Sequence, residues 1–156
     1  TQLALVSVVA GAIIIAVGVR SSCAGGLVPA VCEIVDADPT IGEPEGAAVE
    51  LAALPHVESS YDPEARSHVG ASGIWQFTRS TGRRFMRVDH VVDERNDPFA
   101  ATRAAGRLLA YNYSITGNWP MAITAYNHGL AGVRRAMRLH GDDALVDIER
   151  RAGVEQ

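Results

Sequence analysis

Three short polar segments follow apolar stretches of this sequence, and each carries side chains suited to act on a polar substrate. Glu58 comes directly after an apolar stretch, at an end that should pack against the rest of the domain. A carboxyl group half-buried among apolar groups has a raised pKa, the condition for a general acid at neutral pH. Gln76 lies between two large aromatic residues, and Tyr126-Asn127 places a phenol beside an amide. Each segment also has a plain structural interpretation, as an exposed helix position or a helix end.

Helices must position these side chains, because helical periodicity dominates from Gly46 onward and no run of strict alternation appears. The sequence therefore predicts a mainly α domain of five or six short helices. They are expected at 47–57, from an Asp97 cap with Pro98 to Gly117, from Asn118 to Tyr126, at about 131–139, and after an Asp142 cap. Pro55 is expected to bend the final turn of the first helix. Buried positions are expected at Ala48, Leu51, Ala52 and Val57, at Phe99, Ala104, Leu108 and Leu109, at Met121, Ala122, Ile123 and Ala125, and at Leu145 and Ile148.

The composition divides the chain into three parts. Residues 1–19 carry no charge and are long enough as a helix to form a membrane anchor or the apolar region of an export signal. Residues 20–45 are acidic and rich in Gly and Pro, which is typical of a linker. Residues 46–156 hold all nine aromatic residues and balance thirteen acidic residues against thirteen Arg. The packed domain is therefore expected there.

Charge and cysteine content exclude several classes of function. The net charge is -4 and all 14 basic residues are Arg, scattered along the chain, which argues against nucleic-acid binding. Two cysteines, Cys23 and Cys32, are too few for a disulfide framework or a cysteine-based zinc site. A disulfide between them, two ordinary thiols, a lipid-modified Cys23 and a cleaved segment all stay open. No metal ion or other cofactor is expected.

The polar segments together, in this order and spacing, resemble the lytic transglycosylases of glycoside hydrolase family 23, which carry the SLT domain, and in particular the membrane-bound D type. The motifs that carry the resemblance are Leu54-Pro55-His56-Val57-Glu58-Ser59-Ser60-Tyr61-Asp62-Pro63-Glu64-Ala65-Arg66-Ser67, Gly70-Ala71-Ser72-Gly73-Ile74-Trp75-Gln76-Phe77, Val92-Asp93-Glu94-Arg95 and Ala125-Tyr126-Asn127. The resemblance covers roughly Gly46 to Gly141.

The resemblance implies a goose-type lysozyme-like helical domain with a groove for a glycan strand. It implies that Glu58 is the single catalytic acid and base, and that Ser67, Gln76, Tyr126 and Asn127 bind substrate. Family members cleave the β-1,4 bond between N-acetylmuramic acid and N-acetylglucosamine in peptidoglycan and leave 1,6-anhydromuramoyl ends. The substrate's own acetamido group assists, so no second carboxylate is needed. An extracytoplasmic location follows, with peptidoglycan strands as the partner.

Two other functions stay open. A hydrolytic lysozyme on the same fold would use a second carboxylate, for which Asp62, Asp93, Glu94 and Asp97 are the candidates. Asp62 and Asp97 are also explained by a turn and a helix cap, and Asp93-Glu94-Arg95 by a local ion pair and cap. A weak peptidoglycan-binding module is the other function. It is suggested by the absence of the further aromatic-bearing helix with which the family usually continues.

Several aromatic and histidine side chains lie within or next to the motifs. His68 and His128 adjoin motif residues and are candidates for lining the groove. His128 and Leu130 also stand where the family typically has a small residue and Pro. Trp75, Phe77 and Trp119 are expected in the core rather than as platforms for sugar rings.

Overall fold

A computed structural model of the chain describes residues 47–154, of which the side chains of 47–50, 52, 53, 142, 149 and 152–154 are not described. Six α-helices lie in this range: α1 (Ala47–Ser59), α2 (Arg79–Gly82), α3 (Pro98–Thr116), α4 (Trp119–His128), α5 (Leu130–His140) and α6 (Ala144–Val154). Two 3-10 turns, Glu94–Asn96 and Gly141–Asp143, precede α3 and α6. The mainly helical fold predicted from the sequence is confirmed.

Side-chain caps begin the two helices whose starts the sequence marks most clearly. Asp97 accepts hydrogen bonds from the amides of Phe99 and Ala100 at 2.9 and 3.1 Å, and α3 then begins at Pro98. Asn118 accepts one from the amide of Met121 at 2.9 Å, where α4 begins. Each cap satisfies amides that have no partner within their helix, so these boundaries could be read from the sequence.

Residues 47–107 belong to one compact unit, called here the first unit. Its core is built from α1, from the first turns of α3 and from the segment between them. The buried apolar residues are Leu51, Leu54, Ala71, Ile74, Trp75, Phe77, Val88, Ala101, Ala104 and Ala105. Apart from α2 and the turn at Glu94–Asn96, the segment between the helices has three isolated antiparallel bridges, Arg66 with Ser72, Ser72 with Phe77 and Val88 with Asp93.

Residues 108–154 belong to the second unit, which is a small helical assembly. Helix α5 packs against both α4 and α6. Their shared core consists of Met121, Ala125, Val133, Ala136 and Ala144, with Leu130, Met137, Leu145 and Ile148 partly buried against it. The burial expected for Met121, Ala125, Leu145 and Ile148 is therefore confirmed.

Two residues expected in the core are exposed. Val57 is 36% exposed although it lies in α1, because the buried side of that helix runs through Leu51, Leu54 and Pro55 instead. Phe99 is 51% exposed, in the first turn of α3, whereas Ala104, Leu108 and Leu109 farther along are buried as predicted.

Other expectations fall outside the described side chains or differ in detail. Helix α1 continues past Pro55 to Ser59, two residues beyond its predicted end. The side chains of Ala48, Ala52 and Asp142 lie outside the described ones, as do residues 1–46, which include both cysteines and the expected anchor and linker. In the range 47–154, no helix combines the length and the apolar composition that crossing a membrane requires.

Trp75 is fixed to α3 by one buried hydrogen bond. Its Nε1 donates to Thr102 Oγ1 at 2.9 Å, and Thr102 Oγ1 itself donates to the carbonyl of Pro98 at 2.6 Å. Trp75 is 1% exposed, so this bond fixes the residue next to Gln76 within the core.

The substitution Thr102→Val is expected to lower the free energy of unfolding by about 1–3 kcal/mol, because it removes the hydroxyl that accepts from the buried indole N–H of Trp75. Denaturant titration measures the loss. Thr124→Val is the matched control, since Thr124 is also a buried helical threonine that donates to a proline carbonyl four residues back, at 2.8 Å. A loss no larger than that of the control would show that the indole bond contributes nothing to stability.

Candidate active site

Glu58 lies in the last turn of α1 and is partly buried. Burial raises the pKa of its carboxyl above the ordinary value of 4.5. Among the described residues, no salt bridge or hydrogen bond involves this carboxyl group, so desolvation acts without a compensating positive charge. The condition that the sequence suggested for a general acid is therefore met in the first unit.

The backbone directly after Glu58 is in an uncommon conformation. Ser60 and Tyr61 have φ angles of 54° and 61°, which non-glycine residues adopt at a cost. The amide of Ser60 donates to the carbonyl of His56 at 2.9 Å, and that of Tyr61 donates to the carbonyl of Pro55 at 3.2 Å. These two bonds end helix α1. Burial also raises the pKa of the Tyr61 phenol.

The end of α1 is attached to the loop that carries Gln76, called here the Gln76 loop and defined as residues 65–77. Ser59 Oγ donates to the carbonyl of Ile74 at 2.9 Å, so the residue after Glu58 is bonded to the residue two before Gln76. Inside the loop, the amide of Gly73 donates to the carbonyl of Ala65 at 3.0 Å. The segments that carry Glu58, Ser67 and Gln76 are thereby connected by hydrogen bonds within one unit.

Gln76 is half-buried and its orientation in the loop is fixed. It has a φ of 47°, and its Nε2 donates to the carbonyls of Gly73 and Ala65 at 2.9 and 3.2 Å. Since both partners are acceptors, the nitrogen end of the amide must face them. The amide oxygen is left as an acceptor for a donor group outside the loop.

Ser67 offers a hydrogen-bond donor, whereas Gln76 offers an acceptor. It begins a turn in which the amide of Gly70 donates to its carbonyl at 3.0 Å, and its Oγ accepts a hydrogen bond from the amide of Ala71 at 3.0 Å. An oxygen that already accepts keeps its own hydroxyl proton for donation. The loop therefore offers one hydroxyl donor and one amide acceptor.

A buried arginine supports the Gln76 loop from the side of the segment before α3. Arg95 is 4% exposed, and its Nε and Nη2 bond to both carboxylate oxygens of Asp93 at 2.8 and 2.7 Å. Its Nη1 donates to the carbonyls of Gly70 and Phe77 at 2.8 and 3.0 Å. The guanidinium group lowers the pKa of Asp93 and joins both ends of the loop segment 70–77.

The candidate second carboxylates all have structural partners. Asp62 accepts from the amide of Glu64 at 2.9 Å, as in a tight turn, and Asp97 caps α3. Asp93 pairs with Arg95, and Glu94 Oε2 accepts from the amide of Arg87 at 2.6 Å. The structural roles that the sequence suggested for Asp62, Asp93 and Asp97 are confirmed.

The remaining predicted substrate-binding residues lie in the second unit, at the end of α4. Tyr126 is partly buried and Asn127 is exposed, and His128 is the last residue of the helix. His68 is an exposed residue of the Gln76 loop, in the first unit.

The aromatic residues follow their predicted roles to different extents. Trp75 and Phe77 are 1% and 2% exposed, which confirms them as core residues. Trp119 is only partly buried and packs against Tyr113, with ring centroids 4.6 Å apart and ring planes tilted by 32°. Its Nε1 is buried and has no hydrogen-bond partner among the described residues.

Within residues 47–154, no three His, Cys, Asp or Glu side chains are grouped so as to hold a metal ion.

Two features of the site could not be found from the sequence. Interactions of Arg95 with carbonyls 18 and 25 residues away leave no local signal, so the sequence predicted only its pairing within Asp93-Glu94-Arg95. The left-handed conformation of Ser60 and Tyr61 was also missed, because neither residue is a glycine or asparagine. The proline after Asp62 marks a turn but not its conformation.

Comparison with known proteins identifies the family. Membrane-bound lytic murein transglycosylase D of Escherichia coli (strain K12) is 39% identical over 92 residues, which are 58% of this chain and 20% of that protein. Membrane-bound lytic murein transglycosylase F of Alcanivorax borkumensis is 34% identical over 110 residues, 66% of this chain and 21% of that protein. A protein of Alteromonas sp. (strain M-1) named for tributyltin chloride resistance is 37% identical over 91 residues, 57% of this chain and 44% of that protein.

The chain thus spans about a fifth of the length of the two transglycosylases that it matches. The sequence model of the Transglycosylase SLT domain matches residues 42–145, which include every segment of the candidate site. The chain belongs to the Transglycosylase SLT domain family.

Proposed function

We propose that this protein is a lytic transglycosylase that cleaves the β-1,4 bond between N-acetylmuramic acid and N-acetylglucosamine in peptidoglycan. The observation that carries the proposal is the Glu58 carboxyl, which is desolvated, has no charged partner among the described residues and adjoins a fixed polar loop. Two relatives that are named lytic murein transglycosylases support the choice of substrate.

In the first step, protonated Glu58 donates its proton to the oxygen of the glycosidic bond as that bond breaks. Burial raises the pKa of Glu58, so the protonated carboxyl persists to a higher pH than in water, as a general acid requires. Positive charge then develops at the anomeric carbon of the muramoyl residue. The oxygen of the substrate's own 2-acetamido group stabilises that charge, which replaces a second carboxylate.

In the second step, the Glu58 carboxylate takes the proton of the muramoyl 6-hydroxyl, whose oxygen attacks the anomeric carbon. The ring that forms is a 1,6-anhydro sugar, and no water is consumed. The supporting observation is that Asp62, Asp93 and Asp97 are each engaged in turn, ion-pair or cap bonds, and that Glu94 accepts from the amide of Arg87. A lysozyme would need one of these carboxylates beside the sugar.

Ser67 and Gln76 are assigned by the hydrogen-bond donor and acceptor that their side chains have left unused, and Tyr126 and Asn127 are assigned by the resemblance of their motif to the family. Ser67 donates from its hydroxyl and Gln76 accepts at its amide oxygen, which suits the carbonyl and N–H of an acetamido group. Tyr126 and Asn127 would bind the glycan from the end of α4. These four residues are proposed to bind substrate.

An envelope location outside the cytoplasm follows from a peptidoglycan substrate. The two transglycosylases that the chain resembles carry the words membrane-bound in their names. We infer the same association for this protein, with residues 1–19 as export signal or anchor, residues 20–45 as linker and residues 46–156 as the transglycosylase domain.

Mass spectrometry of the muropeptides released from purified peptidoglycan by the 156-residue chain tests the function. Products one water lighter than hydrolysed muropeptides support a transglycosylase. Products with ordinary reducing ends would indicate a lysozyme, and binding to peptidoglycan without any release would indicate a binding module.

The substitution Gln76→Ala is expected to reduce turnover by about 10-fold or more, because the acceptor on the acetamido N–H is lost, while the domain stays folded. The same muropeptide assay measures turnover, and circular dichroism measures helicity. A large loss of helicity would instead mean that the bonds from Gln76 Nε2 to Ala65 and Gly73 hold the fold.

A further inference from the structure

We propose that Arg95 is a positioning residue that holds the Gln76 loop in its active geometry, an inference that rests on the proposed function. The inference is based on four hydrogen bonds that the buried guanidinium group of Arg95 donates. Two go to Asp93 and two go to the backbone carbonyls of Gly70 and Phe77.

The position of these two carbonyls makes the arrangement specific. Gly70 closes the turn that begins at Ser67, and Phe77 directly follows Gln76. Arg95 Nη1 reaches both carbonyls at 2.8 and 3.0 Å, so one nitrogen sets the separation between the two ends of the segment. Of the two side chains proposed to bind the acetamido group, Ser67 lies three residues before Gly70, and Gln76 lies inside the segment, directly before Phe77.

The carboxylate of Asp93 fixes the guanidinium group in turn. Its two oxygens accept from Nε and Nη2 of Arg95, a planar two-point contact that lysine cannot make. Asp93 also accepts from the amide of Arg95 at 3.3 Å, which begins the turn at Glu94–Asn96. The aliphatic part of Arg95 lies against Gly82, where an added Cβ would come within 3.1 Å of it.

A second contact reinforces the same attachment. Ser72 Oγ donates to Asn96 Oδ1 at 2.7 Å, and Ser72 also donates its amide to the carbonyl of Phe77 at 3.1 Å. The Gln76 loop is thus bonded on one side to the turn at Glu94–Asn96 and on the other, through Ser59, to the helix that ends beside Glu58. Gln76 itself has a positive φ, a conformation that persists only where the surroundings impose it.

The substitution Arg95→Lys tests the inference, because lysine keeps the charge but cannot reach two carbonyls and both carboxylate oxygens at once. We expect kcat on soluble glycan strands to fall by about 10-fold or more, with KM within about 3-fold of its original value. Misplacing a group that acts in the transition state lowers kcat, whereas the rest of the strand still binds.

Two controls separate positioning from general destabilisation. Arg87→Lys makes the same change in an exposed pair with Asp89, whose N to O distance is 2.7 Å, and should leave kcat unchanged. Thr116→Val should lower stability in the second unit, because the buried Thr116 hydroxyl donates to the carbonyls of Asn112 and Asn118 and lies in a different unit from the Gln76 loop. A fall in kcat for Arg95→Lys no larger than that for Thr116→Val, at a temperature where both are folded, would overturn the inference.

Amide hydrogen exchange provides a readout that does not depend on activity. Arg95→Lys should speed exchange at the amides of Ser72 and Gly73 and leave that of Ala122, in α4, unchanged. If the unmodified protein makes no anhydro products, the proposed function fails. The exchange measurement still tests whether Arg95 holds the Gln76 loop in place. Unchanged exchange at Ser72 and Gly73 would contradict the inference. Should Arg95→Lys not fold, Asp93→Asn takes its place with the same expected pattern.

Discussion

Glu58→Gln is expected to reduce the release of anhydromuropeptides by at least about 100-fold, because an amide can neither donate the proton to the leaving oxygen nor take one from the 6-hydroxyl. The two side chains have nearly the same shape, so binding to peptidoglycan should persist. The measurement is the rate of muropeptide release by the 156-residue chain, together with its binding to intact peptidoglycan.

Glu64→Gln is the matched control for this prediction. Glu64 is exposed and lies six residues farther along the chain, and among the described residues its hydrogen bond to Asp62 comes from the backbone amide and not from the carboxylate. The same chemical change there should leave the rate within about twofold of the original value. Equal activity in Glu58→Gln and Glu64→Gln would remove Glu58 from the mechanism.

Stability should change in the opposite direction from activity. The pKa of Glu58 is raised in the folded protein, so its contribution to stability is fully present below its ordinary pKa of 4.5 and is lost as the pH rises through the folded value. Glutamine does not ionise, so the variant Glu58→Gln does not lose stability as the pH rises. The variant should therefore unfold at a higher denaturant concentration than the original protein at pH 7, and the difference should shrink as the pH falls toward 4.5.

The same raised pKa predicts the pH dependence of the reaction. The protonated carboxyl acts first, so kcat/KM should decline on the alkaline side of a pKa that lies above 4.5. A decline set by a pKa at or below the ordinary value would contradict the assignment of Glu58 as the acid.

The sequence predicted the helices because their signals are local. Asp97 with Pro98, and Asn118 with Pro120, mark helix starts by capping chemistry alone, and the structure begins α3 and α4 there. Burial was harder to predict at helix ends. Val57 and Phe99 are as apolar as their buried neighbours, but each lies near an end, where the next segment of chain decides which side is covered.

The candidate site could be predicted as a set of residues but not as a geometry. Residue type and position singled out Glu58 and Gln76, whereas Ser67 and the roles of all three came from the resemblance to a family. The bonds that fix Gln76 join it to backbone carbonyls, which every residue possesses, so the side-chain sequence carries no record of them. The contacts of Arg95 with Gly70 and Phe77 are of the same kind.

Gly73→Ala is expected to lower the stability of the protein strongly. A Cβ at residue 73 would lie 1.7 Å from the carbonyl oxygen of Arg95, and this is backbone that cannot move without disturbing the buried guanidinium group. Gly73 also has a φ of 79°, which alanine adopts at a further cost. We expect the free energy of unfolding to fall by about 4 kcal/mol or more, as measured by denaturant titration.

Gly70→Ala separates the two causes of that loss. Gly70 lies in the same loop with nearly the same φ, 82°, but a Cβ there would meet nothing within 4 Å. Its substitution should therefore cost only the conformational part, about 1–2 kcal/mol. If Gly73→Ala costs no more than Gly70→Ala, the close approach of Gly73 to Arg95 is not what holds the loop. A clearly larger loss of stability for Gly73→Ala than for Gly70→Ala would show that the loop is held by its contact with the segment before α3. The inference about Arg95 places the attachment of the loop at the same contact.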